Sequence, residues 1–120
     1  MSSLNKLTAI RDFYNTGATK SFEFRKQQLQ KLQEALANYE QEIYKALFED
    51  LKKSPEECWV TENGFVVADI SNTIKHLHKW MQPERVKTNL LNLPSKSFIL
   101  AEPLGVVCII APWNYPLQLL

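Results

Sequence analysis

The run Val106-Val107-Cys108-Ile109-Ile110 contains no polar side chain. A strand with one wet face alternates apolar and polar residues, so an unbroken apolar run predicts a strand covered on both faces inside a parallel sheet. Parallel strands are joined by crossovers of about a dozen residues or more, and only ten residues follow Ile110 in a chain of 120. The sheet this strand requires is therefore expected to be unfinished within these residues. An uncovered edge of that kind is an aggregation template, so something outside the run has to cover it.

Upstream the pattern is helical. Leu4, Leu7, Ile10, Phe13 and Tyr14 keep helical spacing, and Gly17 stands where a left-handed residue would close the helix. Ser21 can cap a second segment, in which Leu29, Leu32, Leu36, Tyr39, Ile43, Leu47 and Leu51 recur at steps of three or four. That spacing predicts one long amphipathic helix with its stripe facing a core. Ser54-Pro55-Glu56-Glu57 then offers an N-cap, a proline at the first helical position and a glutamate placed to complete a capping box. A third helix is predicted from there through Trp59, Val66, Ile70, Ile74, Leu77 and Met81, ended by Pro83.

After Pro83 the periodicity changes. Val86 and Thr88 alternate with charged residues, Pro94-Ser95-Lys96 reads as a turn, and Phe98-Ile99-Leu100 favours strand. We expect a two-stranded antiparallel excursion. Fourteen basic against thirteen acidic residues give a net charge of +1 with no run of like charges, which argues against a nucleic-acid partner or an anionic membrane. The opening MSSLNKLTAI lacks an apolar core of signal-peptide length, and no stretch approaches the length needed to span a bilayer. A soluble, cytoplasmic protein is expected.

Ligands of open α/β sheets sit beyond the carboxyl ends of the strands, and Ala111-Pro112-Trp113-Asn114-Tyr115-Pro116 follows the end of this one. Pro112 and Pro116 fix their own φ and push Ala111 and Tyr115 toward extended backbone, so the segment between them is held stiffly. Asn114 brings two uncharged N–H donors, which suit an oxygen that becomes negative only in a transition state. The competing reading is a turn residue bonded to its own backbone.

The residues from Glu102 to Pro116, EPLGVVCIIAPWNYP, resemble the signature of the NAD(P)-dependent aldehyde dehydrogenase superfamily, whose first nucleotide-domain strand runs into a Pro-Trp-Asn-(Phe/Tyr)-Pro loop. Phe13 to Gln33, FYNTGATKSFEFRKQQLQKLQ, is similar to the class 3 and fatty-aldehyde branch, with its Gly-x-Thr element and Phe-Arg-x-x-Gln-Leu helix, and ALFEDLKKS continues the likeness. The resemblance spans essentially the whole chain but only the opening part of such an enzyme. It implies an α/β fold: N-terminal helices and the first strand of a Rossmann-type nucleotide-binding domain, incomplete here. Residues 1–83 would be the helical segment, 84–102 the strand excursion acting as an oligomerisation element, and 103–120 the start of the sheet.

The resemblance further implies oxidation of an aldehyde to a carboxylic acid with NAD or NADP. In the family a cysteine thiolate attacks the aldehyde, hydride passes to the nicotinamide, and a glutamate-activated water hydrolyses the thioester. Asn114 would be the side-chain half of the oxyanion hole, and Ala111, Pro112, Trp113 and Asn114 would line the nicotinamide ribose. The nucleophile, the base, the glycine-rich cofactor turn and the phosphate-region lysine have no counterpart in these residues, so the isolated chain is expected to be inactive. The class 3 likeness implies medium or long aliphatic and aromatic aldehydes and a homodimer, and the spacing of Cys and His residues indicates no metal. The alternative is a non-catalytic helical interaction module derived from such an enzyme; a downstream cysteine and glutamate motif would separate the two.

Other residues read as structural. Cys108 stands mid-strand among Val and Ile, where a thiol behaves as a small hydrophobe. Cys58 has no neighbouring cationic cluster to activate it, and His76 and His78, two apart, point to different faces of a helix and cannot share a metal. Neither cysteine has disulfide-framework or zinc-ligand spacing.

Overall fold

The computed structural model describes residues 3–120, so the readings that touch Met1 and Ser2 lie outside the described residues. Helix α1 spans Ser3–Asn15 and is closed by Gly17 at φ 78°, whose N–H donates to the Tyr14 carbonyl at 3.0 Å. Left-handed backbone is where glycine costs least, and the expected stop is met. After a 3-10 turn, Ala18–Lys20, Ser21 caps helix α2, Phe22–Asn38, its Oγ accepting from the Phe24 N–H at 3.2 Å.

The continuous helix expected from Ser21 to Leu51 is instead two. Helix α3, Glu40–Leu51, begins after a break at Tyr39 with φ −106° and ψ 18°. The break is a kink rather than a reversal: the Tyr39 N–H still reaches Ala35 at 2.9 Å, and its carbonyl still accepts from Ile43 at 3.0 Å. Local chemistry favours it there. Asn38 and Tyr39 are indifferent helix formers, while Glu40 and Glu42 are carboxylates in a first helical turn, where the dipole favours negative charge.

Lys52, at φ 57°, ends α3 in left-handed backbone, and Ser54 caps helix α4, Pro55–Cys58, accepting from the Glu57 N–H at 3.2 Å. The Glu56 backbone N–H and the Ser54 hydroxyl hold the Glu56 carboxyl below the usual carboxylate range. The third predicted helix then carries an unforeseen π turn, Trp59–Asn63, before helix α5, Gly64–Trp80. The Gly64 N–H donates to the Trp59 carbonyl, five residues back, and a Cβ on Gly64 would lie 2.6 Å from that oxygen. α2 and α5 pack antiparallel, with Gln33 Nε2 on Ser71 Oγ at 3.1 Å and the Phe22 ring edge-on to His78 at 5.3 Å. Leu36, Leu47, Cys58, Ile70 and Leu77 form the buried apolar core.

The antiparallel excursion is present: β1, Glu84–Val86, pairs with β2, Ser97–Ile99, with Glu84 opposite Ile99 and Val86 opposite Ser97. The turn between them closes by the Ser95 N–H on the Asn92 carbonyl at 2.8 Å. Among the described residues this is the only ladder, so Val106–Ile110 is assigned no strand, contrary to the sequence expectation. An extended apolar run becomes a strand only by hydrogen bonding to a neighbour, and none lies beside it. Its approach is anchored to α1 by the Tyr14 hydroxyl donating to the Pro103 carbonyl at 3.1 Å. Among the described residues no helix is long and apolar enough to cross a membrane.

Candidate functional site

Lys53 and Glu62 determine how the loop after the apolar run is held. Lys53 follows the left-handed Lys52, which turns the chain out of α3. Glu62 stands on the π turn, where it and Asn63 are both buried. Lys53 Nζ lies 2.6 Å from Glu62 Oε1, with the two side chains 8% and 0% exposed. The same ammonium donates to the Asn114 carbonyl at 3.0 Å and sits 4.1 Å from the centroid of the Tyr115 ring. The other carboxylate oxygen, Oε2, accepts from the backbone N–H groups of Leu117 at 3.1 Å and Gln118 at 3.0 Å.

A buried charge is tolerable only when its whole hydrogen-bonding capacity is met. Here the ammonium has a carboxylate, a carbonyl and an aromatic face, and each carboxylate oxygen has a donor. The two amides belong to a helical turn headed by Pro116, closed by the Leu119 N–H on the Tyr115 carbonyl at 3.0 Å. The first N–H groups of such a turn lack intrahelical partners, and Tyr115 at the cap position cannot supply one. Glu62 supplies it from 55 residues away in sequence. The loop is thus gripped through its main chain on both sides of Tyr115 and Pro116, beyond what its two prolines impose.

The side chains ahead of Tyr115 stay outward. Ala111 is half-buried, Pro112 and Asn114 are exposed, and Trp113 is 84% exposed. The Asn114 amide makes no hydrogen bond among the described residues; only its main-chain carbonyl is engaged. The self-bonded turn that competes with a functional reading is not formed. Sequence reasoning singled out Ala111, Pro112, Trp113 and Asn114 and missed Lys53 and Glu62. A signal for Glu62 existed: it lies four residues after Cys58 and four before Val66, an acid in phase with an apolar stripe.

The remaining candidates separate cleanly. Cys58 is fully buried, and burial pushes its thiol up against the opposing pull of Lys53. Cys108, expected to be covered, is exposed, because no strand lies beside it among the described residues. His76 Nδ1 lies 2.9 Å from the Asn72 carbonyl and its ring stacks on Trp80, while His78 meets Phe22 on another face. Among the described residues no cluster of His, Cys, Asp or Glu could hold a metal ion.

Residues 8–120 match the model of the aldehyde dehydrogenase family. Among curated relatives, the chain is 46% identical over 107 residues to the 4,4'-diaponeurosporen-aldehyde dehydrogenase of Staphylococcus aureus, covering 89% of this chain and 23% of that protein. It is 42% identical over 115 residues to aldehyde dehydrogenase family 3 member B1 of Rattus norvegicus, covering 96% of this chain and 25% of the relative. A solved structure described as the substrate-bound state of Staphylococcus aureus AldH superposes with a TM-score of 0.94 at 42% identity, over 99% of this chain and 26% of that one. The chain therefore spans about a quarter of the length of the proteins it matches.

Proposed function

The chain belongs to the aldehyde dehydrogenase family, and from that premise we propose that it forms part of an enzyme that oxidises an aldehyde to a carboxylic acid with NAD or NADP. The observation that carries this reading is the division of labour at Asn114. Its carbonyl is fixed by Lys53, while its amide is exposed and bonded to nothing among the described residues. A donor held ready, uncharged and unspent, suits an oxygen that gains charge only as a nucleophile adds to a carbonyl. In our reading the Asn114 amide donates to that oxygen, and the nucleophile and general base come from elsewhere in the enzyme.

Ala111, Pro112, Trp113 and Asn114 are the residues that would hold the nicotinamide ribose, and they fit it: three of the four are exposed, and no acid in the loop would repel a dinucleotide. When bound, the cofactor accepts the hydride. Residues 1–83 would then be the helical part of the nucleotide-binding domain and 103–120 the start of its sheet. Residues 84–102 would bridge two subunits of a homodimer, which gives a role to the exposed Phe98, Ile99 and Leu100. We place the enzyme in the cytoplasm. Likeness to family 3 relatives supports medium or long aliphatic and aromatic aldehydes as the substrate class. The test is the appearance of reduced nicotinamide when the full-length enzyme meets a panel of such aldehydes with NAD+ or NADP+. We expect turnover that favours the apolar aldehydes; no reduction with any aldehyde and either cofactor contradicts the proposal.

A further inference from the structure

We propose that Lys53 and Glu62 are positioning residues for Asn114: together they fix the main chain from Asn114 to Gln118 so that the Asn114 amide points where the oxyanion forms. This rests on the reading of Asn114 as an oxyanion donor. Among the described residues no hydrogen bond holds the Asn114 side chain, so its aim comes from its backbone and two side-chain torsions. The backbone, in turn, is held by groups from outside the loop. Lys53 fixes the Asn114 carbonyl at 3.0 Å, and Glu62 fixes the Leu117 and Gln118 amides at 3.1 and 3.0 Å.

Two features distinguish this from ordinary core packing. Replacing a buried ion pair by apolar residues is often neutral or stabilising, so stability alone gives no reason to keep one. Among the described residues, every side-chain hydrogen bond and ring contact the pair makes beyond itself falls on one loop, on Asn114, Tyr115, Leu117 and Gln118. The carboxylate is also chemically required. One oxygen faces an ammonium and the other faces two N–H groups, so both must accept. A glutamine offers one acceptor and one donor and would set N–H against N–H on one side, whichever way it turned.

The experiment is a double-mutant cycle in the full-length enzyme, comparing Glu62→Gln, Asn114→Ala and the combination. We expect Glu62→Gln to lower kcat about 10- to 100-fold, the scale of a misplacement near 1 Å, with cofactor Kd and aldehyde KM changed far less than kcat. In the Asn114→Ala background the same substitution should cost almost nothing further, because there is no donor left to aim. Glu62→Asp keeps the charge and the ion pair while withdrawing the carboxylate by one methylene; it guards against a variant that fails to fold, and the same coupling is expected. If Asn114→Ala slows the enzyme but the Glu62 substitutions leave kcat at the parent value, or multiply with Asn114→Ala, the positioning role is wrong. If Asn114→Ala itself has no effect, it is the oxyanion reading that fails.

Discussion

A lysine and a glutamate taken out of water must answer for every donor and acceptor they carry, and Lys53 and Glu62 do so by spending them on one loop. The sequence marks Glu62 only as an acid in phase with an apolar stripe and does not mark Lys53 or the loop they hold, because the groups they bind there are main-chain atoms more than 50 residues away. The reasons for singling out Asn114, by contrast, are local: flanking prolines, an uncharged amide and a position after an apolar run. The same residue scale separates the two cysteines. Burial raises the Cys58 thiol, so the fold favours its protonated form. The stability this contributes is fully present below the thiol's unfolded pKa, about 8.5, and is lost as pH rises through the higher folded value. A thiol reagent added to native protein at neutral pH should therefore leave Cys58 unmodified, with modification appearing in denaturant. Native modification at the rate of a free thiol would show that the site is open.

At the scale of elements, caps and stops were readable and irregularities were not. Gly17, Ser21 and the Ser54-Pro55 pair act through bonds spanning two to four residues, and each appears where local chemistry places it. The kink at Tyr39 left weak marks in Asn38, Glu40 and Glu42, which the uninterrupted apolar stripe outweighed. The π turn left none in a helical pattern, yet it accompanies the burial of Glu62 beside Asn63. Gly64 makes it testable. An alanine in place of a helix glycine normally gains up to about 1 kcal/mol. Here the added methyl would meet the Trp59 carbonyl at 2.6 Å, backbone that cannot easily yield. Gly64→Ala should lose stability by about 1–3 kcal/mol, as overpacked sites do, and a melting temperature at or above the parent's would mean that the turn is dispensable.

The whole molecule is drawn out, 63 × 37 × 25 Å with a radius of gyration of 19.4 Å, where a compact chain of this length has about 14 Å. Apolar side chains stand open along its last stretch, with Ile110 86% exposed and Trp113 84%. That agrees with a chain that superposes on 26% of a solved relative, and the apolar run that the sequence reads as a strand pairs with no neighbour among the described residues. For Asn114 the most direct measurement is the rate of hydride transfer in a single turnover of the full-length enzyme carrying Asn114→Ala. Loss of one oxyanion donor should slow this step by about 10²–10³-fold, with the melting temperature close to the parent's and cofactor affinity changed far less than the rate. Hydride transfer at the parent rate in a folded Asn114→Ala enzyme would reduce Asn114 to a loop residue and contradict the account.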